Sequence, residues 1–540
     1  MHPIDTPHTV VIDRTRTPNA IRFPAVFNVA VPFIDRPVAE GRGDRPALRT
    51  EAGDISYRQL AENVARAGQV FLGLGLKRGE RLLMVVRDTP MFFYVFWGAV
   101  KAGLVPVGLS TMMKAADYQY SIEDSGGAAL IYSPAQAGEV TPAAQASALK
   151  LRHLLSTDEL ERRMAGAPTT LEAAPTSATE DCFWLYSSGS TGKPKGVVHV
   201  HRDMVITSER YGQGIAGIKP DDLVFCASKL FFSYGFGGGM TFPLWAQATI
   251  LLCEERPSAD MAFAMIERHK PTVFFGVPTL YGQMVQALDS QARDTRSIRA
   301  CLSAGEALPE PIFTRWKEKT GVAILDGIGS TEVLHIFVSN RHNDIRPGTS
   351  GKPVPGYEVK IVDGDERPVA DGEVGILMVK GESNARCYWN NPEKTASTMR
   401  GEWLNTGDMY IKDADGYYAN VGRGDDMLKV GGMWCSPLEI ESRLLAHPKI
   451  AEAAVIGQPD AEGLIKPAAY VVLRNKAEAG PAMVDTLVQH CKSGLAGYKY
   501  PRWFYFIDDL PKTVTGKIQR FRLRQAPSEQ YRDREYKVGD

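Results

Sequence analysis

From Ser56 onward, apolar positions recur near a 3.6-residue period at Tyr57, Leu60, Val64, Phe71 and Leu72, which predicts a helix with one buried face. Gly73, Gly75 and Gly79 interrupt it, and the apolar run Leu82 to Val86 predicts a buried strand. Thr89 and Pro90 read as the cap and first-turn residue of a second helix, Met91 to Ala102, which Gly103 closes. Val105 to Val107 follows as a strand, Lys114 to Asp124 as a helix and Ala128 to Tyr132 as a strand. This alternation predicts an α/β fold whose mostly parallel sheets are covered by helices. After Gly422 to Asp426 the pattern changes. Short strands (Ala453 to Ile456, Ala469 to Leu473, Trp503 to Ile507) surround one helix from Val484 to Ser493. Two domains are expected: a large one over 1–424 and a small α+β one over 425–540, with the backbone at Asp425 as a hinge.

The chain of 540 residues is long enough for a large core without disulfides or metals to staple it. Its 62 Lys and Arg against 63 Asp and Glu give a net charge of −1, which argues against a sequence-independent nucleic-acid binder. Hydrophobic content of 44% excludes a disordered chain. The apolar stretch Met91 to Val100 is far short of the roughly 20 residues of a membrane span. The N-terminus MHPIDTPHTV lacks a basic segment followed by an apolar one, so a cytoplasmic location is expected. The 7 cysteines form no CxxC pair, which predicts reduced, buried thiols. His199 and His201 flank Val200 on one strand face, but with no third ligand evident they read as structural histidines.

One segment is dense in chemistry. After the apolar Phe183, Trp184 and Leu185, positions 187–196 pack together Ser187, Ser188, Gly189, Ser190, Thr191, Gly192, Lys193, Lys195 and Gly196. Glycines let backbone amides turn towards an anion, and hydroxyls and lysines add donors and charge. The spacing is not that of a Walker loop, because GxxxxGK(S/T) is absent.

This loop resembles the phosphate-binding signature of the adenylate-forming superfamily, which includes acyl-CoA synthetases, peptide-synthetase adenylation domains and firefly luciferase. Further signatures follow in the expected order: SAGEALP (303–309), DGIGSTE (326–332), NTGD (405–408), GRGDD (422–426) and PKTVTGKIQR (511–520). The resemblance runs from about residue 45 to 525. It is closest to the benzoate-CoA ligases in FWLYSSGSTGKPKGVVH, KLFFSYGFG, SAGEALP, DGIGSTEVLHIF and YKYPR. The resemblance implies that a carboxylate and ATP form an acyl-adenylate and pyrophosphate, and that coenzyme A then displaces AMP. It places the nucleotide at Ser187 to Gly192, Lys195, Gly305, Glu306, Ala307, Asp326, Gly327, Ile328, Thr331, Asp408 and Arg423. Thr331 would contact the α-phosphate, Glu332 would hold Mg2+, and Asp408 with Arg423 would meet the ribose. Lys517, a flexible point charge, would reach the α-phosphate and the substrate carboxylate, so Lys517, Thr331 and Glu332 are the implied catalytic residues. Lys429, Gly431 and Gly432 would line the pantetheine path, and Tyr498 would stack on the coenzyme's adenine. Tyr500 stands where some relatives carry an arginine for a phosphate. The basic residues between Lys499 and Arg524 suggest attraction for the coenzyme's phosphates, or a solvated face.

For the acyl group, the resemblance points to Phe232, Ser233, Tyr234, Gly329, His335 and Ile336. Leu230 to Met240 contains no acid to pair a substrate ammonium, which disfavours an amino acid because a buried unpaired charge is costly. Phe232, Tyr234 and Ile336 could sandwich a flat ring, with His335 adding a polar group at its edge. The expected activity is ATP-dependent ligation of benzoate or a substituted benzoate to coenzyme A. Medium-chain acyl-CoA synthesis, carrier-protein loading, a luciferase-type oxidation and a non-catalytic nucleotide-binding module are the alternatives. A homodimer and an acetyltransferase acting on Lys517 are further partners left open.

Overall fold

The computed structural model of the chain describes all residues except 1–5, 188–193, 425, 431–432, 461, 513–517, 526–530, 532–533 and 539–540. The first helix is Tyr57–Gly73, capped by a reciprocal pair in which Ser56 Oγ accepts from the Gln59 amide and the Gln59 side chain accepts from the Ser56 amide. Tyr57, Leu60, Val64 and Phe71 are buried on it, whereas Leu72, expected on the same face, is 42% exposed. At the next helix, Pro90–Lys101, Thr89 holds the cap position, but its hydroxyl turns back to the Arg87 carbonyl rather than capping.

Strands His153–Ser156, Ala129–Tyr132, Arg81–Val85, Val105–Gly108 and Asp181–Ser187 run parallel in one sheet of seven. Lys195–Val200 turns back antiparallel at its edge and pairs with Cys387–Tyr388. A second sheet of nine carries the parallel strands Leu223–Cys226, Val273–Gly276, Ala300–Ser303 and Ile324–Gly329. Its antiparallel continuation is Ile336–Ser339. A third sheet, Tyr357–Val362, Val374–Gly381, Trp403–Lys412 and Tyr418–Arg423, is wholly antiparallel. The alternation that predicted the first sheet stops short of this region.

Beyond residue 427 the chain builds its own core. Ile450–Pro459, Ile465–Leu473, Trp503–Phe506 and Glu535–Lys537 form a four-stranded sheet, and Pro481–Lys492 packs on it through Met483, Val484, Leu487, Val488 and Cys491. The basic residues expected to attract phosphates are largely spent inside this unit. Lys499 pairs with Glu439, Lys512 with Glu452 at 2.7 Å, Arg520 with Glu441 at 2.6 Å and Arg524 with Asp426. Among the described residues no helix is long and apolar enough to cross a membrane.

Candidate active site

The seven-stranded sheet delivers the two ends of the phosphate loop. Ser187 closes one strand, Lys195 opens its antiparallel neighbour, and the two residues pair directly. The loop itself, with Ser188, Gly189, Ser190, Thr191 and Gly192, lies outside the described residues. Lys195 sits over the ring of Tyr388 at 5.1 Å. Burial lowers the pKa of its amine, and Lys394 and Arg423 add to that while Glu332 opposes it.

Glu332 faces this corner from the nine-stranded sheet. Its Oε1 accepts from Ser187 Oγ at 3.3 Å and from the Tyr388 hydroxyl at 2.8 Å, and Oε2 makes neither bond. The turn Thr331–Val333 that presents it begins at Ser330, whose Oγ accepts from the Val333 amide. It ends at Leu334, held at a φ of 74° that a bulky residue seldom adopts. That reversal lets Ile336–Ser339 run back along Ile324–Gly329, with Ile336 opposite Gly329. Tyr388 carried no signature in the sequence and was missed; only its place beside the phosphate-loop strand reveals it.

Asp326 lies on the same strand as Gly327 and Ile328, directly beside Ser303. It is buried with Oδ1 unpartnered, and burial pushes its carboxyl up to about 8 against the pull of the Ser303 hydroxyl and the Leu308 and Gly327 amides. An unpartnered buried carboxyl oxygen fits a polar edge of a nucleobase placed beside it. Gly305, at a φ of 98°, opens the adjoining loop through Glu306 and Ala307, a conformation that glycine adopts without strain. Glu306 Oε1 accepts from the backbone amide of Ile518 at 3.2 Å. Lys517 itself lies outside the described residues, but the residue after it touches the adenine-side loop. Asp408 and Arg423, both expected at the ribose, face each other across two antiparallel strands at 3.2 Å.

On the acyl side, Tyr234 stacks on His335 with ring centroids 5.5 Å apart, and its hydroxyl donates to the Gly276 carbonyl at 3.1 Å. His335 donates from Nε2 to the Tyr234 carbonyl at 3.3 Å, leaving Nδ1 buried without a partner. Burial lowers its pKa to about 3, so the ring is neutral. Tyr211 and Phe242, missed in the sequence, complete the box around it at 5.3 and 4.4 Å. Gly237 permits this packing: a Cβ there would sit 2.3 Å from His335 Cδ2. Phe232 stands apart from the other two. It packs with the cluster that holds Phe231, whereas Tyr234 and Ile336 belong to another, so the residues expected around the ring are drawn from two cores. Ser233 and Gly329 border the same two segments.

For the second substrate, Tyr498 is partly buried against the C-terminal core, with Lys499 over its ring at 5.6 Å. The Tyr500 ring, at the position where some relatives were expected to carry an arginine, is flanked by Arg502 at 4.0 Å and Lys492 at 4.5 Å. Gly431, Gly432, the side chain of Lys429 and Asp425, expected as a hinge, lie outside the described residues. His199 and His201 are not ligands: His199 bonds Asp203 and the Thr331 carbonyl, and His201 Nδ1 accepts from the Val29 amide. Among the described residues no three His, Cys, Asp or Glu side chains gather to cage a metal. A cation at Glu332 would therefore rest on one carboxylate plus phosphate oxygens, the arrangement magnesium favours.

Two family matches cover most of the chain: the AMP-binding enzyme over residues 36–389 and the AMP-binding enzyme C-terminal domain over 439–517. The benzoate–CoA ligase of Thauera aromatica is 47% identical, over 96% of this chain and 99% of its own length. A 4-hydroxybenzoate–CoA/benzoate–CoA ligase of Rhodopseudomonas palustris is 43% identical, over 92% and 94%. Among solved structures, the anthranilate CoA ligase AuaEII in complex with anthranoyl-AMP superposes with a TM-score of 0.90 at 41% identity, covering 93% of this chain and 98% of that one. A benzoate CoA ligase from Burkholderia xenovorans gives 0.86 at 44%, covering 92% and 100%. With its fold, its ordered motifs and these end-to-end likenesses in agreement, the chain belongs to the AMP-binding enzyme family.

Proposed function

We propose that the protein joins benzoate or a singly substituted benzoate to coenzyme A at the expense of ATP, which makes it an acid–thiol ligase. The observation that carries this reading is the meeting at one corner of Glu332 with Ser187 and Lys195 of the phosphate loop's two ends, beside an aromatic wall without charge. A carboxylate oxygen attacks the α-phosphorus, the bond to pyrophosphate breaks, and acyl-adenylate results. The thiolate of coenzyme A then attacks the acyl carbon, the carbon–oxygen bond to AMP breaks, and the thioester leaves.

Charge building on the α-phosphate dominates the first half, so preplaced donors there contribute most. Thr331 and Lys517 supply them in this reading, and Asp326, Asp408 and Arg423 orient the nucleoside. Glu332 would hold magnesium, which would supply neutralisation of the phosphate charge when bound. The Ile518–Glu306 bond supports a pose in which the lysine segment is docked for adenylation. The unit from 425 to 540 then turns about Asp425, withdrawing Lys517 and bringing Gly431 and Gly432 to line the thiol's path. Acetylation of Lys517 removes its charge and stops the first half-reaction.

The neutral His335 and the Tyr234–Ile336 wall offer no carboxylate to balance an ammonium charge, so an amino acid faces a penalty of several kcal/mol. The test is ATP-dependent pyrophosphate release over a panel of carboxylic acids, with and without coenzyme A. Benzoates should exceed acetate, hexanoate, palmitate and phenylalanine in kcat/KM, with thioester appearing when the coenzyme is present. A best substrate that is aliphatic or an amino acid would refute the aryl reading, and adenylate without thioester would point to carrier loading.

A further inference from the structure

We propose that His199 and Asp203 form a buried positioning pair that holds the Thr331–Val333 turn, and with it the Glu332 carboxylate, in register with Ser187 and Lys195. The inference rests on the reading of Glu332 as the carboxylate that meets magnesium and phosphate.

Three successive carbonyls of the turn are each taken by a different neighbour. His199 Nε2 lies 2.8 Å from the Thr331 oxygen, the Ala385 amide donates to that of Glu332 at 2.7 Å, and Ser383 Oγ donates to that of Val333 at 2.9 Å. The second and third come from the segment that leads to Tyr388. The first comes from the other side, from the strand Lys195–Val200 that leaves the phosphate loop. His199 is therefore a bond from phosphate-loop strand to turn backbone that Tyr388 does not duplicate.

Its chemistry is constrained. His199 and Asp203 side chains are both 0% exposed, and Nδ1 lies 2.8 Å from Asp203 Oδ2, which also accepts from the Val200 amide at 3.1 Å. Both ring nitrogens thus face acceptors. Nε2 must carry hydrogen to bond the Thr331 carbonyl, and a second hydrogen is shared between Nδ1 and Oδ2. Phe183 stacks on the imidazole at 5.3 Å and 17°, which blocks ring rotation. A histidine kept for packing alone has no use for this double constraint. An orienting acid, a ring with one donor direction and a target carbonyl suit a device that sets position.

Paired amide substitutions separate the two bonds. In His199→Gln the amide nitrogen can take the place of Nε2 and keep the Thr331 bond. In His199→Asn the shorter side chain keeps Asp203 and loses Thr331. Misplacement of a reacting group by about 1 Å costs on the order of 100-fold in rate. Adenylation by His199→Asn should therefore fall about 100-fold, and the half-saturating Mg2+ concentration should rise about tenfold, the scale for loss of an outer support of a metal ligand. His199→Gln should recover most of both. Thioester formation from pre-made benzoyl-adenylate should be nearly unchanged in each. A readout independent of turnover is amide hydrogen exchange in the nucleotide-free enzyme, where a peptide spanning 330–336 should exchange faster in His199→Asn than in His199→Gln. Equal adenylation rates and equal exchange for the two variants would overturn the proposal, as would parallel loss of both half-reactions with the melting temperature. Pyrophosphate release by the wild-type enzyme checks the underlying adenylation reading separately, since its absence would remove that reading whatever the variants do.

Discussion

The corner that holds Glu332 and the unit beyond residue 427 are attached to the rest of the molecule in opposite ways. At the corner, backbone carbonyls are taken by His199, Ala385 and Ser383, the carboxylate by Ser187 and Tyr388, and the supporting dyad is fully buried. The C-terminal unit keeps its apolar residues in cores of its own. It reaches the large domain through polar contacts such as Ile518 to Glu306 at 3.2 Å, Gln286 to the Ala451 carbonyl at 3.2 Å and Arg474 to Asp289 at 3.8 Å. The partly exposed Arg474–Asp289 pair contributes about 0–1 kcal/mol, the other two are single hydrogen bonds, and an interface of such contacts permits relative motion. The proposed alternation needs this division: a corner that stays and a C-terminal unit that arrives and leaves. That division suits a reaction in which one acyl group must meet a lysine first and a thiol second.

The contrast is sharpest at Lys517. Replacing it with alanine should slow adenylation by roughly two to three orders of magnitude, the scale of one lost transition-state donor, while thioester formation from pre-made adenylate is far less affected. Single-turnover assays of each half-reaction measure this, and a wild-type rate of pyrophosphate release would remove Lys517 from the mechanism.

A smaller effect tests the fixed side. Tyr388→Phe removes one hydrogen bond to Glu332 without leaving a void, and such a bond to a charged group is worth about 1.5–3 kcal/mol. The expected result is a rise of roughly tenfold or more in the half-saturating Mg2+ concentration for adenylation, with the KM for benzoate little changed. If the two parameters moved together, Tyr388 would be supporting the acyl wall instead.

The smallest effect concerns pH. Asp326 has a folded-state pKa of about 8 against an ordinary 3.8, so between these values the folded protein holds a proton that the unfolded chain has released. This group therefore removes stability progressively as pH rises through that window, and its full cost is present above pH 8. Asp326→Asn, which cannot ionise, should flatten the fall in melting temperature between pH 5 and pH 8 (a window inside that interval) relative to the wild type. Parallel melting curves against pH would mean the carboxyl is not kept neutral by burial.

The sequence was a better guide to chemistry than to support. Ser187, Lys195, Glu306, Asp326, Glu332, Asp408 and Arg423 stand in ordered motifs of closely spaced polar side chains, which the proposed phosphate, ribose and metal contacts would require. The first sheet was equally legible, since a strand buried on both faces and a helix buried on one leave different periods. Tyr388, Tyr211, Phe242 and the role of His199 were not. Their partners lie far along the chain: Tyr388 is 56 residues from Glu332, and His199 is 132 from Thr331. Only tertiary pairing joins them. The antiparallel third sheet escaped for another reason: Tyr357–Val362 alternates apolar and charged residues, but Val374–Gly381 is a nearly unbroken apolar run and Trp403–Lys412 mixes polar and apolar positions without a period of two. Phe232 shows the same limit within the acyl segment, because neighbouring aromatics can face different cores.

One measurement bears most directly on the claim that the C-terminal unit alternates while the corner stays. Proline at 425 fixes φ and removes an amide donor, so Asp425→Pro should hold the unit in the pose that the Ile518–Glu306 bond represents. Stopped-flow rates of both half-reactions should then show near-normal adenylation and loss of most thioester formation. Equal losses in the two steps would contradict the alternation and leave the two regions as one rigid body.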